Sequence, residues 1–555
     1  MAFAPGIVFL GMHHPDLTIP LIALYAETHF RFFSWMPSLV YRRLPEVIFD
    51  MPRRLAPGCD LPILLLVNDV HRFPVEIGTV TIALSQRPDA PEVLVFDNMA
   101  AQEILHPLAA RQRAFLFTVP HTMLRQHEAF VNAKVELRRN GRAVVVLNDN
   151  LPGSSKTGLH CVVARESRPG SAWCSYGDLH VHSQYSQSHV EFGPPVRAIQ
   201  TMARAHGVDF VALTDHSYDL SCRMDNYLAV DAGESQRWVS AKAEVRASSR
   251  SVPTMLMGEE VSCLNARGQV VHLCGVGMSE FIAGSRDGAR RNAVNDNMLT
   301  IPEVVEAIHK QGGTTLAAHP GAGCGIMQRL FLHRGTWSDT DASAGVDALQ
   351  AANGYFSRSW DRGKLLWIRA LLRGKRIGLA AGTDSHGDFN RYRYLSTPFV
   401  SIAELERMYF CGVLTGVYGK PRLQQEIIAA IRNGRTFVTD GPFVTLSASR
   451  DPADSVIGTG DVRPEVKSLF VVAASSCEFG PIRSMQVIRG RVGAVEEEMV
   501  WHQSSADGDT LEQVQECAVS PTWAPGYLRA VVRCEDRAGI VRQAYTSPCY
   551  LSSAE

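Results

Sequence analysis

Between about residues 173 and 440, short apolar runs alternate with amphipathic stretches, and nearly every run ends in a histidine or a carboxylate. They close as Gly177-Asp178-Leu179-His180-Val181-His182-Ser183, Leu213-Thr214-Asp215-His216, Gly258-Glu259-Glu260-Val261-Ser262, Val271-His272-Leu273, Ala318-His319-Pro320 and Gly382-Thr383-Asp384-Ser385-His386-Gly387. Only the run at Val346–Asn353 ends otherwise. Short apolar runs make buried strands, whereas apolar residues three or four apart make one face of a helix. Pro195–His206, Ile301–Gln311, Arg362–Arg373 and Gln424–Arg432 carry the helical pattern. Thr300 and Glu303 add a capping box to the clearest of these, and Gly312 ends it.

Strand and helix in repetition predict parallel β built from βαβ units, and about seven strands favour a closed barrel over an open sheet. One link does not fit that rule. Glu260 and His272 are separated by eleven residues that include Asn265-Ala266-Arg267-Gly268. That is too short for a helical crossover, so the barrel is expected to be irregular there.

The flanks read as β. In residues 1–172 the strand-like runs are Leu61–Val67, Val75–Leu84, Val93–Phe96, Phe115–Val119, Val131–Leu137 and Ala143–Leu147. The last two face each other across Asn140-Gly141, a strong hairpin signal. In residues 441–555 they are Ser468–Ala473, Met485–Ile488, Tyr527–Arg533 and Ile540–Tyr545. The expected α/β chain is therefore a barrel at 173–440 between N-terminal and C-terminal β-sandwich-like modules.

Composition narrows the partners. A chain of 555 residues exceeds one ordinary core. Its 46% apolar and 20% charged content suits a soluble globular protein. With 55 basic against 56 acidic residues, no footprint for nucleic acid or anionic membrane emerges. No apolar stretch reaches the length of a membrane span. Twelve cysteines occur without a CxxC pair, and Met1–Pro5 carries no basic leader, so free thiols in a reducing cytoplasm are expected.

Alternation along a strand points His180 and His182 the same way, as a clamp for one ion. Asp384 and His386 repeat that geometry, and His216, Glu260, His272 and His319 arrive from four other runs. Eight nitrogen and oxygen donors exceed the needs of one ion, which implies two or three divalent ions of Zn, Mn or Fe. Metals in such a cage activate water, so a hydrolase is expected. Phe389-Asn390-Arg391-Tyr392-Arg393 follows the last clamp, and Arg391 and Arg393 are the candidates to grip phosphate oxygens.

The ordered set D-L-H-x-H-S, T-D-H, G-x-E, H-L-x-G, A-H-P and D-S-H-G resembles the PHP superfamily, named for polymerase and histidinol phosphatase, over about half the chain. The flanking β regions are similar to those of its carbaryl-hydrolase-like branch. The resemblance implies a distorted seven-stranded (β/α) barrel holding up to three ions, with metal-dependent hydrolysis of esters, usually phosphoesters. It carries His180, His182, His216, Glu260, His272, His319, Asp384 and His386 over as ligands, with Glu260 rather than Glu259 as the acid of G-x-E. Asp215 would then orient a neighbouring histidine. Two departures stand out. Where many members have an aspartate ligand, this chain has Ser186-Gln187-Ser188-His189, so His189 is the candidate substitute. Gln350 stands where an acid is frequent, at the expected loss of a supporting contact.

The leading expectation is attack of a metal-held hydroxide on a small phosphorylated ester. A carbamate or carboxylic ester hydrolase with the same centre is the alternative, and a metal-stabilised binding protein without turnover is another. The terminal modules would cover the barrel or support a homo-oligomer.

Overall fold

The computed structural model describes residues 43–551 and Trp35, apart from 88–93, 98–100, 152–155, 188–191, 227–228, 232–233, 249–250, 285–297, 326–327, 331–332, 395–402, 453–460, 463–465 and 505–508. It is a mixed α/β structure dominated by sheet.

The middle of the chain supplies seven strands: β1 (Cys174–Val181), β2 (Phe210–Leu213), β3 (Thr254–Leu264), β4 (Val270–Val276), β5 (Thr314–Ala317), β6 (Ala348–Asn353) and β7 (Gly378–Gly382). They pair in sequence order. The first then returns beside the last: Val181 bridges Ser385 in parallel, His182 N donates to Ser385 O at 2.9 Å, and Asp384 N donates to His180 O at 2.7 Å. The strand pairings therefore form a closed ring. Every neighbouring pair in it is parallel except the two made by β4. The short Asn265–Gly268 link is the reason: a hairpin is the only way to join β3 and β4, and β4 consequently runs backwards.

Four helices pack among the strands: α1 (Val196–His206), α2 (Gln236–Ser248), α3 (Ile301–Lys310) and α4 (Arg358–Leu372); α1, α2 and α4 are crossovers between parallel neighbours, and α3 joins the antiparallel pair β4 and β5. The Glu303 carboxylate accepts the Thr300 N–H at 2.8 Å, as the capping box predicts, and Gly312 beyond the helix adopts φ +80°. α4 begins four residues before the expected Arg362, because Ser357 caps it by accepting the Ser359 N–H. Inside the ring, small and branched residues (Leu179, Ala212, Leu256, Cys274, Leu316, Ala348 and Ala380) fill the floor. Ile427 and Ile431 of α5 (Gln424–Arg432) plug it from below.

The N-terminal module is two sheets closed over their own core. Val47, Ile63, Leu65 and Phe117 from one sheet meet Ile82, Val131, Val135 and Leu159 from the other. Its predicted hairpin is present, with Asn140 at φ 49° and Gly141 at φ 73°. Strands Glu46–Asp50 and Leu159–Val163 were not legible as apolar runs, yet they complete these two sheets.

The C-terminal strands are less separate. The first half of β1 pairs with β8 (Leu414–Tyr418), β8 with β9 (Thr436–Thr439), and β9 with Val541–Thr546. One continuous sheet and one apolar core thus run across residue 440. Among the described residues no helix is long and apolar enough to cross a membrane, and all twelve cysteines are free thiols.

Candidate metal centre

The ring brings all eight described ligand candidates to its upper rim. They fall into overlapping groups: His182, His216 and His386; His180, His182, Glu260 and Asp384; and His216, Glu260 and His272. His319 joins through Nε2, 3.1 Å from Glu260 Oε1. In the parallel strands other than β3 the candidates stand at or just past the carboxyl ends, and Glu260 lies mid-strand in β3, just beyond the stretch paired with β2. In β4, which runs backwards, His272 stands near the start, so the reversal of the strand keeps its ligand on the same rim. His189 lies outside the described residues.

Tautomers are fixed from behind. Gln350 Nε2 donates to Asn353 Oδ1 at 3.0 Å, which turns its carbonyl oxygen toward His180 Nδ1 at 2.8 Å. His180 therefore carries its proton on Nδ1 and presents Nε2 inward. The expected loss of a contact at Gln350 is corrected here: the amide oxygen accepts this proton as a carboxylate would. Ser186 Oγ gives its own proton to Asp215 Oδ1 at 2.8 Å and accepts from His182 Nδ1 at 2.9 Å and from His216 N at 3.1 Å. Asp215 also accepts Ser183 N, Ser183 Oγ and Ser186 N. It thus orients His182 through Ser186, not by touching an imidazole.

His180 Nε2 and His182 Nε2 face each other inside the ring at 3.1 Å. Burial works against charge on His180, but Cys274, Asp384 and Glu260 hold it well above its ordinary value, so it is the charged member of the pair. Four further separations in this group are 3.0 Å for His182 to Asp384, 3.4 Å for His180 to both Glu260 and Asp384, and 3.5 Å for His182 to Glu260. An ion with bonds of about 2.1 Å spaces its donors about 3.0 to 3.4 Å apart in octahedral and tetrahedral arrangements. Four donors at these distances fit one divalent cation. His386 Nε2 is buried with no hydrogen-bond partner among the described residues, although the ring stacks on His182 at 4.1 Å. An imidazole nitrogen held that way suits a metal ligand.

The electrostatics agree. Burial would raise Glu260, yet His272, His216 and His180 hold it well below the usual carboxylate range. Burial likewise opposes Asp384, and His180 with His182 overcomes it. Burial and the neighbouring imidazoles His386 and His216 hold His182 well below its ordinary value, which keeps it neutral. Glu259, on the opposite face of β3, is a buried carboxyl pushed well up by burial; its only described hydrogen bond is from Ile282 N. That separates the two adjacent acids: Glu260 is an anion in the cluster and Glu259 a neutral acid outside it.

Two ligands occupy left-handed backbone, His319 at φ 32° and Asp384 at φ 56°. Such conformations cost on the order of 1 kcal/mol or more for a side-chain-bearing residue, and persist where packing enforces them. Gly382 is equally constrained by space. A Cβ there would lie 2.5 Å from His180 Cβ and 2.8 Å from His180 N. Gly382→Ala is therefore expected to displace His180, lower bound metal, and cost about 1–3 kcal/mol of stability. Elemental analysis and thermal melting read both effects; full metal content in the variant would contradict this account of the glycine.

Arg391 and Arg393 are a correction. The Arg391 guanidinium bonds Thr157, through Oγ1 and through the carbonyl oxygen at 2.7 Å, and Arg393 lies 3.5 Å from the buried Asp149. Both face the N-terminal sandwich, and neither is placed as a phosphate clamp. Asp50 accepts Phe389 N and Asn390 N in the same seam, so the N-terminal module grips the segment that follows His386.

Among the described residues, Arg334 reaches the centre, with Nη1 3.3 Å from His272 Nδ1. No run or spacing marks it in the sequence. It arrives because backbone at 333–335 pairs with Val270 at the start of β4. Tyr218 forms another wall, stacked on His216 with centroids 4.6 Å apart.

No family model matches the chain, and no curated protein does. Among solved structures, it is similar at 8% identity to a 1.5-MDa bacterial ice-binding adhesin, over 92% of this chain and 98% of that one, with a TM-score of 0.14. It is similar at 10% identity to an FMN-binding β-glucuronidase from Facaelibacterium prausnitzii L2-6, over 93% of this chain and 75% of that one, with a TM-score of 0.19. At such scores neither carries an argument about fold or chemistry.

Proposed function

We propose that the protein is a metal-dependent hydrolase of small phosphoesters, built on a distorted seven-stranded (β/α) barrel of the PHP type. The observation that carries this reading is the convergence of six imidazoles and two carboxylates from six strands and the turns that follow them, with Arg334 beside His272. Divalent ions of Zn, Mn or Fe bound by these residues would lower the pKa of a coordinated water toward neutrality and polarise the scissile oxygen.

The chain's own residues set the rest. Glu260 offers one oxygen to His180, His182 and His216 and the other to His272 and His319, so it would help to hold the ions with either group of imidazoles. Ser186 and Gln350 keep protons on the outer nitrogens of His182 and His180, which leaves the inner nitrogens as donors. Charge favours an anionic substrate. Two carboxylates do not neutralise two divalent ions, and Arg334 adds a further positive charge at the rim. A phosphoester answers that excess, whereas a neutral carbamate does not.

The test is elemental analysis of the purified protein, followed by aryl phosphates, bis-aryl phosphates and aryl carbamates side by side with added Mn or Zn. Turnover of a phosphate ester that rises with metal is expected. Preferred turnover of the carbamate would overturn the substrate class. Bound metal without hydrolysis of any ester would mark a binding protein.

A further inference from the structure

Resting on the phosphoester reading, we propose that the loop after His319 is a second oxyanion subsite, formed by Arg334, Arg329 and Arg362, and that the substrate carries two anionic groups. One would be the ester held at the metal ligands, and the other a phosphate or carboxylate held at this rim.

The loop is Gly321-Ala322-Gly323-Cys324-Gly325, directly after His319-Pro320. It is pressed onto the first turns of α4: a Cβ on Gly321 would lie 1.9 Å from Ser359 O and 2.6 Å from Gly363 N. That contact brings Arg362 over the loop, where a Cβ on Gly323 would lie 3.5 Å from its Nη1. On the other side stands Cys324. Its thiol donates to Arg334 O at 3.3 Å, and burial raises its pKa against the opposing influence of Arg329 and Arg334. Arg334 in turn reaches His272. Arg362, Arg329 and Arg334 thus all lie beside a short loop that starts at a metal-ligand candidate.

Arg329 and Arg362 are exposed, and the adjacent acid Asp361 is paired with Lys364 at 3.3 Å. Like charges gathered this way repel one another until an anion sits between them. Guanidinium forks match planar or tetrahedral oxyanions through paired N–H groups, and glycines let such a group approach the backbone. Arg334 lies between the two regions and would hold the group that links them.

The experiment is calorimetric titration of the metal-loaded full chain with non-hydrolysable probes: propylphosphonate, 3-phosphonopropanoate and propane-1,3-bisphosphonate. At least one of the two-headed probes is expected to bind about tenfold or more tightly than propylphosphonate, the worth of one added charge-assisted pair. Whichever it is names the second group as carboxylate or phosphate. In R329Q/R362Q, which changes only exposed side chains, that ratio is expected to fall to about twofold or less. Equal binding of all three probes by the unaltered protein, or a ratio that survives in the double variant, overturns the second subsite. Failure of every probe to bind the metal-loaded protein removes the phosphoester reading itself, a distinct result.

Discussion

Glu260→Gln is expected to lower hydrolysis on the order of a thousandfold or more and to remove at least one equivalent of bound metal. Its two oxygens face five imidazoles: Oε2 lies 2.7 Å from His216, 3.4 Å from His180 and 3.5 Å from His182, while Oε1 contacts His272 and lies 3.1 Å from His319. An amide is close to isosteric, but it removes the negative charge and turns one acceptor into a donor aimed at ligand nitrogens. A change at a residue that only supports a ligand typically costs 10–100-fold, and a carboxylate that would itself hold the ions should exceed that. Metal analysis and kcat/KM on an aryl phosphate check it together. Glu259→Gln is the internal control, because that carboxyl is already neutral and faces away from the cluster. Equal losses in the two variants would show that Glu260 acts by packing alone.

Metal removal is the second large effect. Without cations, two buried carboxylates are left to be balanced by imidazolium, chiefly His180, which Cys274, Asp384 and Glu260 hold well above its ordinary value against the cost of burial. Ligand linkage makes the bound ions worth about 4 kcal/mol when free metal stands at about 1,000 times its dissociation constant. Dialysis against a chelator should therefore lower the melting temperature of the transition that contains the ring. The C-terminal strands should move with it, because their sheet and core are continuous with those of β1, β8 and β9. The N-terminal sandwich has its own core, so its transition should shift less. Scanning calorimetry of metal-loaded and stripped protein separates the two. An unchanged ring transition in protein proven metal-free would rule out a structural share for the ions.

Much of this site is written locally. An H-x-H on a strand must point both imidazoles one way, and a ligand at the end of a parallel strand must stand on the rim that the other parallel strands share. Those two rules placed His180, His182, His216, Asp384 and His386 without knowledge of any contact. Glu260 and His272 were legible as residues, and the short link between them predicted an irregular join. That the join is a hairpin, and that the reversal of β4 puts His272 at its start, follows from pairing across strands.

The arginines show where local reading fails. Arg391 and Arg393 are close to His386 in the sequence, but their direction is set by Thr157 and Asp149, more than 230 residues upstream. Arg334 is remote from every ligand run except through the backbone bridge to Val270. The tautomers are equally non-local, since the proton on His180 depends on Gln350, and Gln350 on Asn353.

By itself, the sequence determined which side chains can bind metal, the faces they take, and the strand–helix rhythm that carries them, because these depend on periods of two and 3.6 residues along the chain. Only the tertiary structure decided that the ring closes through Val181 and Ser385, which arginine enters it, and where one module ends and the next begins. Those are set by hydrogen bonds and packing between segments far apart in the chain, and no local period encodes them.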